Sequence, residues 1–240
     1  GKIERIVQGA QLVHGLNQHT VSLLEQLGVP ADKIWYRPNA VNTQLFSPAD
    51  TEGEQKPPVT FLFCGRFDNQ KGHEFLISAW KLLPSELRAK ARLILAGSGK
   101  REMEFRKLAE GMPEIVFVGE VQRAEMPRLY RQAQVYIHPS KFEGMSNSIL
   151  EALASGLPVI TTAVEGNADL VTPGLNGLLV PYGETGELAK AITTLLNNPE
   201  LRRKMGINSR KQAEAKYAMA ILFDEYDRIY TNLKKTKDGQ

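Results

Sequence analysis

The chain is short of cysteine and of long apolar runs, and each shortage limits what it can be. Cys64 is the one cysteine among 240 residues, so an intramolecular disulfide is impossible and we expect a reducing, cytoplasmic compartment. No apolar run approaches the ~18 residues that a membrane-spanning helix needs. Cys64 ends the apolar run that starts at Thr60, which predicts a small side chain buried in a strand.

The residue patterns of common metal and catalytic sites are also missing. The sequence has no Cys/His cluster, no H-E-x-x-H and no Asp-x-Asp, so we expect no metal centre, although Mg²⁺ held by substrate phosphates stays compatible. None of the four histidines forms a recognisable triad with a Ser or Cys nucleophile, and we expect structural roles for them. They are His14, His19, His73 and His138.

The net charge of +3 and the pI of about 8.9 are too mild to predict nucleic-acid binding, while an anionic ligand stays compatible. Residues 197–240 hold ten Lys or Arg and six Asp or Glu, a surplus of four that exceeds the surplus of the whole chain. A solvated helix face explains this surplus most simply. Peripheral contact with the inner face of an anionic membrane is the alternative.

From residue 59 onward, short apolar segments alternate with segments of helical periodicity. This alternation predicts an α/β fold, a doubly wound parallel sheet with helices on both faces and a helical C-terminal tail. The predicted strands are about Val59–Cys64, Ala91–Ala96, Ile115–Val118, Gln134–His138, Pro158–Thr161 and Gly177–Val180. The predicted helices are about His73–Leu83, Arg101–Glu110, Ala124–Gln132, Asn147–Ser155, Gly186–Leu196, Pro199–Lys216 and Ala220–Lys234.

A polar, proline-rich run near residues 47–58 predicts a linker between this part and a short first block. The first block predicts a strand at about Gln11–Leu16, a helix at about Gln18–Leu27 and a strand at about Lys33–Arg37. One such unit is too small to be stable alone, so we expect it to pack on something larger.

The most informative stretch is FEGMSNSILE, residues 142–151, which follows a predicted buried strand and opens a helix. Glu143 therefore lies beyond the carboxyl end of a strand, where open α/β sheets bind ligands. The first-turn amides, around Gly144 to Ser148, have no partners inside the helix and suit a phosphate. Glu151, about two turns into the helix, can accept hydrogen bonds from two vicinal sugar hydroxyls. The stretch predicts a site for a ligand rich in hydroxyls and phosphates.

Loops after the other strands add cations and glycines to the same edge. Arg66 and Lys71 follow the first long strand and can neutralise a diphosphate, also while charge builds on a leaving group. Gly97 follows the second strand and lets the backbone pass close to a ligand. The segment is not a P-loop, because that motif needs a glycine five residues before Gly99 and Ile94 stands there. Gly119 follows the third strand, where backbone groups can grip a nucleobase. Glu165, after the fifth, we expect to be exposed.

In this order, these residues resemble the nucleotide-sugar-binding domain of the retaining glycosyltransferases of family 4. That family has the GT-B fold, in which two Rossmann-like domains face each other across a cleft. The resembling segments are Gly65-Arg66, Lys71-Gly72, Ala96–Gly99, Val116–Gly119, His138–Ser140, Glu143–Ala152, Gly156–Ile160 and Gly174–Val180.

The resemblance implies a role for each residue of the site. Arg66 and Lys71 would bind the donor diphosphate, Glu143 would act with them at the donor sugar, and Glu151 would bind the ribose hydroxyls. The other donor contacts would be Gly65, Gly97, Gly119, Gly144, Met145, Ser146 and Asn147. The implied reaction moves a sugar from a nucleoside diphosphate sugar, a co-substrate rather than a cofactor, to a hydroxyl of a carbohydrate or glycolipid with retention.

The resemblance also implies three parts. Residues 1–46 look like the end of an amino-terminal acceptor domain, 59–216 like the nucleotide-sugar-binding domain, and 217–240 like a crossover helix with a tail. We therefore expect the rest of the acceptor domain to be missing from this chain or to come from a partner subunit. Ala40 and Asn42, in PNAVN where PNGVD is usual, concern only the junction of the domains.

Other functions compete with sugar transfer. A binding module would hold the nucleotide sugar and transfer nothing until a separate subunit completes the cleft. A glycoside hydrolase using Glu143 and Glu151 as acid and nucleophile fits poorly, because one loop and helix carry both carboxylates and aromatic residues are sparse. An unrelated nucleotide-binding Rossmann protein fits less well still, since no G-x-G-x-x-G follows the first long strand.

Overall fold

A computed structural model describes residues 2–49 and 58–238. Its strands are β1 (Val13–Gly15), β2 (Ile34–Tyr36), β3 (Val59–Cys64), β4 (Ala91–Ala96), β5 (Ile115–Gly119), β6 (Val135–His138), β7 (Val159–Thr162) and β8 (Gly177–Val180). Its helices are α1 (Lys2–Gly9), α2 (Gln18–Gln26), α3 (His73–Lys81), α4 (Ser85–Arg88), α5 (Glu102–Leu108), α6 (Met126–Gln132), α7 (Asn147–Ala154), α8 (Glu165–Ala168), α9 (Thr185–Asn197), α10 (Pro199–Lys216) and α11 (Met219–Asp238). The linker predicted near residues 47–58 lies largely outside the described ranges.

The main sheet has six parallel strands in the order β5-β4-β3-β6-β7-β8. The predicted doubly wound fold is therefore confirmed, and each predicted strand of this sheet ends within one residue of the observed one. Three helices were not predicted: α1, α4 and α8. The last two have four residues each, which is too short for a helical period to show in the sequence.

β3 is the centre of the sheet, and all six of its residues are buried. Because side chains alternate along a strand, Phe61 and Phe63 pack on one face and Leu62 and Cys64 on the other. The first face is covered by α3, α5 and α9, and the second by α6, α7 and α10. Strands buried on both faces explain the continuous apolar runs of the sequence, and Cys64 is buried as expected.

The first block forms the predicted strand–helix–strand unit, with β1 and β2 parallel. The first block packs on the main sheet's helices, where Val41 and Phe46 join the core on the face of Leu62 and Cys64. The amide of Val41 donates to the carbonyl of Tyr217 at 2.8 Å, and α11 then returns to the unit. In that contact the rings of Trp35 and Tyr226 lie 4.9 Å apart, edge to face. The first block is thus held by the main sheet's helices and by the C-terminal helix α11.

No helix in the described ranges is both long and apolar enough to cross a membrane.

Candidate functional site

The sheet reverses its strand order between β3 and β6, which are neighbours although β4 and β5 separate them in the chain. Open α/β sheets bind ligands beyond the carboxyl ends of the strands at such a point. The loop after β3 carries Arg66 and Lys71, and the loop after β6 carries Glu143 and Gly144. The predicted site residues of these two loops thus lie on either side of this point.

Glu143 connects the two loops. The ammonium of Lys71 contacts Oε1 of Glu143, and Nε2 of His138 lies 2.9 Å from the same oxygen. The Glu143 side chain is 8% exposed, that of Lys71 16% and that of His138 1%. Since a buried charge is costly unless it is paired and hydrogen-bonded, this carboxylate is held in place by both partners.

The same contacts set the charge of the site. Burial acts to raise the pKa of the Glu143 carboxyl, but hydrogen bonds from His138 and Lys71 outweigh it and the pKa lies below its ordinary value. Burial lowers the pKa of His138, and the neighbouring Glu143 only partly opposes this shift. At neutral pH the site therefore holds an ionised Glu143 beside a neutral imidazole.

His138, for which the sequence predicts a structural role, lies at the candidate site. It contacts Glu143, and its Nδ1 lies 3.3 Å from the hydroxyl of Tyr136. The sequence signal was weak, because nothing local shows that the chain turns back after Ser140 and brings Glu143 onto the ring. The other three histidines lie elsewhere. His14 lies 2.7 Å from the carbonyl oxygen of Arg37, and His19 lies 3.5 Å from the carboxylate of Glu165. His73 is buried among Phe rings.

Glu151 is the fifth residue of α7, a little over one turn from its start rather than the predicted two. The helix begins at Asn147, as predicted, and the hydroxyl of Ser146 caps it by accepting the amide of Ile149 at 3.4 Å. Oε2 of Glu151 accepts a hydrogen bond from the hydroxyl of Tyr130 at 3.0 Å. Burial raises the pKa of Glu151, and Tyr130 opposes the rise. Tyr130 is a site residue that the sequence did not reveal.

Two asparagines of the first block hold the loop between the two glutamates. The side chain of Asn17 donates to the carbonyl of Gly144, and that of Asn39 donates to Oδ1 of Asn147 at 2.9 Å. The amide of Asn39 also contacts the sulfur of Met145 at 3.3 Å. The side chains of Met145 and Asn147 thus face the first block. The contacts predicted in this loop are those of backbone amides in the first turn, which have no partners within the helix.

The glycines at the ends of β3, β4 and β5 lie side by side. The amide of Gly97 donates to the carbonyl of Gly119 at 2.7 Å, and a side chain at Gly97 would lie 2.0 Å from the carbonyl oxygen of Gly65. Gly97 also has φ +133°, which favours glycine. The three loops therefore form a close-packed backbone surface beside the Glu143 site.

Arg66 is not part of the cluster that Lys71, His138 and Glu143 form. Its side chain is 79% exposed, and its guanidinium lies 3.7 Å from Asp68 of the same loop. Glu165 is exposed as expected, at the start of α8. The described residues contain no group of three or more His, Cys, Asp or Glu placed to hold a metal ion.

The fold is that of the Rossmann-like half of a GT-B glycosyltransferase, and solved structures of this kind superpose on nearly the whole chain. Sucrose-phosphate synthase of Thermosynechococcus elongatus matches with a TM-score of 0.84 and 27% identity, over 98% of this chain and 61% of that one. HepE of Anabaena, solved in complex with UDP and glucose, matches with a TM-score of 0.81 and 22% identity, over 96% of this chain and 67% of that one.

The sequence model of the family described as "Glycosyl transferases group 1" matches residues 49–212, and the chain belongs to this family. The capsular polysaccharide biosynthesis glycosyltransferase CapM of Staphylococcus aureus is 30% identical over 183 residues, 74% of this chain and 47% of the relative. The chain thus spans about half the length of the curated relatives it matches.

Proposed function

We propose that this chain binds a nucleoside diphosphate sugar at the crevice between β3 and β6, and that the protein it represents transfers the sugar to a hydroxyl with retention. The observation that carries the proposal is the pair of carboxylates, one buried and one partly buried, each held by partners of its own. Glu143 is paired with Lys71 and His138, and Glu151 with Tyr130. Side chains held in this way lose little conformational freedom when a ligand binds.

The roles divide between the two ends of the donor. The ionised Glu143 is an acceptor for hydroxyls of the sugar, and Glu151 for those of the ribose. Lys71 provides positive charge for the diphosphate beside Glu143, and the exposed Arg66 has the freedom to swing onto it. Positioning and stabilisation of the departing diphosphate would then supply most of the rate acceleration. HepE, a protein of the same fold solved with UDP and glucose, supports a nucleotide sugar as the ligand class.

A second candidate is a module that binds the donor without transferring it. The observation in its favour is that Lys71, Glu143 and Glu151, which would grip the donor, all lie on the loops and helices of one six-stranded sheet. In this case the acceptor, a carbohydrate or glycolipid, would bind to a domain or subunit outside this chain. CapM, a capsular polysaccharide enzyme, supports a carbohydrate acceptor.

Calorimetry with UDP, GDP and ADP, followed by a donor-hydrolysis assay with the matching nucleotide sugar, tests both candidates. We expect one nucleotide to bind, Glu151→Ala to weaken it by about tenfold or more, and Glu143→Gln to reduce turnover more than nucleotide affinity. Glu200→Ala is the control, because Glu200 lies 82% exposed on α10. Binding without hydrolysis favours the module. Absence of nucleotide binding, or equal effects of all three substitutions, would refute the donor site.

A further inference from the structure

The proton on His138 can be located from its partners. Nε2 lies 2.9 Å from Oε1 of Glu143, and an ionised carboxylate can only accept hydrogen bonds. The hydrogen between these two atoms must therefore be on Nε2. The ring nitrogen on the other side, Nδ1, is then an acceptor as long as the ring is neutral.

Tyr136 completes this chain of hydrogen bonds. Its hydroxyl lies 3.3 Å from Nδ1 of His138 and 3.3 Å from the carbonyl oxygen of Cys64. With a neutral ring the phenol donates to Nδ1, and with a protonated ring Nδ1 donates to the phenol, which turns its proton to Cys64. In both arrangements Nε2–H keeps pointing at Glu143, so one rotating hydroxyl keeps this contact intact.

The packing around the ring prevents it from moving. His138 is 1% exposed, and its ring stacks on Phe63 at a centroid distance of 5.7 Å and an interplanar angle of 10°. The rings of Tyr136 and His138 lie 6.0 Å apart at 15°. A buried ring with two near-parallel aromatic neighbours has little room to turn, so its Nε2–H keeps its direction toward the Glu143 carboxylate.

Lys71 is shared between two roles under the proposed function. It is the other partner of Oε1, but under the proposed function its ammonium also serves the diphosphate. Among the described residues, no hydrogen-bond donor contacts Oε2 of Glu143, so this oxygen is the one that remains for a sugar hydroxyl. The contact from His138 comes from a group that has no proposed role at the diphosphate.

We infer that His138 is a positioning residue, which donates its Nε2–H to Oε1 of Glu143 and so presents Oε2 to the sugar of the donor. The inference rests on the proposed function for the identity of the ligand, but the hydrogen bond itself does not. It assigns to His138 an effect on the sugar end of the donor and none on its nucleotide end.

Two substitutions separate this role from a merely structural one. His138→Gln keeps an N–H donor at the position of Nε2, whereas His138→Asn keeps an amide nitrogen only at the position of Nδ1, out of reach of Glu143. We expect His138→Asn to bind UDP as the wild type does and to lose about tenfold in affinity for UDP-glucose. His138→Gln should recover most of this loss. The Tm of the wild type and of both variants is measured to check that each protein is folded.

The tautomer provides a test that needs no ligand. In ¹⁵N-histidine-labelled protein, the ring signals missing from His138→Asn belong to His138, and they should show a protonated Nε2 and an unprotonated Nδ1. A protonated Nδ1 with a bare Nε2 would overturn the inference, as would equal loss of UDP and UDP-glucose affinity in His138→Asn, or no loss of either. If UDP does not bind to the wild type, the proposed function fails for this nucleotide, and the tautomer still decides whether His138 supports Glu143.

Discussion

The ammonium of Lys71 and the carboxylate of Glu143 form an ion pair that bridges the loops after β3 and β6, the two strands between which the sheet reverses its order. Both side chains are largely buried, at 16% and 8% exposed. The pair therefore links the two halves of the sheet at the place where a ligand would enter. A change to either partner is expected to affect stability as well as binding.

Removal of the cation should reveal the energy of this pair. Lys71→Met leaves the Glu143 carboxylate buried with only His138 as a partner, and we expect it to lower the free energy of unfolding by about 3 kcal/mol. Lys190→Met is the matched control, because Lys190 pairs with Glu187 on the surface of α9 and is 74% exposed. Urea denaturation at neutral pH measures both. Similar small losses in the two variants would show that Lys71 and Glu143 are not coupled.

The two site glutamates should respond to pH with opposite sign. The pKa of Glu143 is lowered in the folded protein, so its contribution to stability is present at neutral pH and disappears as the pH falls through that lowered value. The pKa of Glu151 is raised by burial, so its ionisation costs stability at neutral pH. We expect Glu143→Gln to destabilise the protein at pH 7 and Glu151→Gln to stabilise it.

The gain from Glu151→Gln should vanish as the pH falls through the raised pKa toward the ordinary value of about 4.3, because the wild-type carboxyl is then also neutral. Nucleotide affinity at pH 7 should fall about tenfold in the same variant, since a charged acceptor is replaced by a neutral one. Stability curves between about pH 4 and 8 check the sign. A stabilised Glu151→Gln that binds nucleotide normally would remove Glu151 from the site.

Gly166 tests how closely the loop after Glu143 is packed. A side chain at Gly166 would lie 2.0 Å from the carbonyl oxygen of Gly144, so Gly166→Ala must push this loop and should cost about 1–3 kcal/mol. Gly186 is the matched control, because each glycine is the second residue of its helix and Gly186 has open space around it. Gly186→Ala should stabilise by about 0.5–1 kcal/mol. Thermal unfolding of both variants makes the comparison, and a neutral Gly166→Ala would mean that the loop yields freely.

Much of this site follows from local sequence. The apolar runs fix the strands, and the rule that ligands bind beyond the carboxyl ends of parallel strands places Lys71 and Glu143 at one edge. Arg66 obeys the same rule but remains exposed, because the position of a residue in a loop does not determine where a long side chain points. The start of α7 at Asn147 was predicted correctly, whereas Glu151 lies nearer to that start than expected.

The supporting residues did not follow from the sequence. Asn17 contacts Gly144 across 127 positions, and Tyr130 contacts Glu151 across 21. Asn17 also caps α2, accepting the amide of Thr20 at 2.7 Å, so its local role already explains its presence. Tyr130 looks like an ordinary core residue of an amphipathic helix. Contacts made by the far end of a side chain depend on the packing of whole elements, which no local pattern encodes.

Arg210 is expected to hold the first block on the main sheet's helices. One nitrogen of its guanidinium donates to three carbonyl oxygens, those of Thr43 at 2.9 Å, Phe46 at 2.8 Å and Ala154 at 2.7 Å, and Nε pairs with Glu214. Ala154 ends α7, where a cation is also favoured by the helix dipole. Arg210 thus joins the turn after residue 42 to the helix that carries Glu151.

Replacing this guanidinium by an apolar chain of similar length should leave three partly buried carbonyls without their donor. We expect Arg210→Met to lower the free energy of unfolding by about 3 kcal/mol, because each abandoned acceptor costs on the order of 1 kcal/mol or more. Arg203→Met on the same helix should cost less than about 0.5 kcal/mol, since Arg203 is 69% exposed and its ion pair with Glu200 lies on the surface. Denaturation of the two variants side by side separates a specific attachment of the first block from a general effect of charge on α10, because equal losses would leave only the latter.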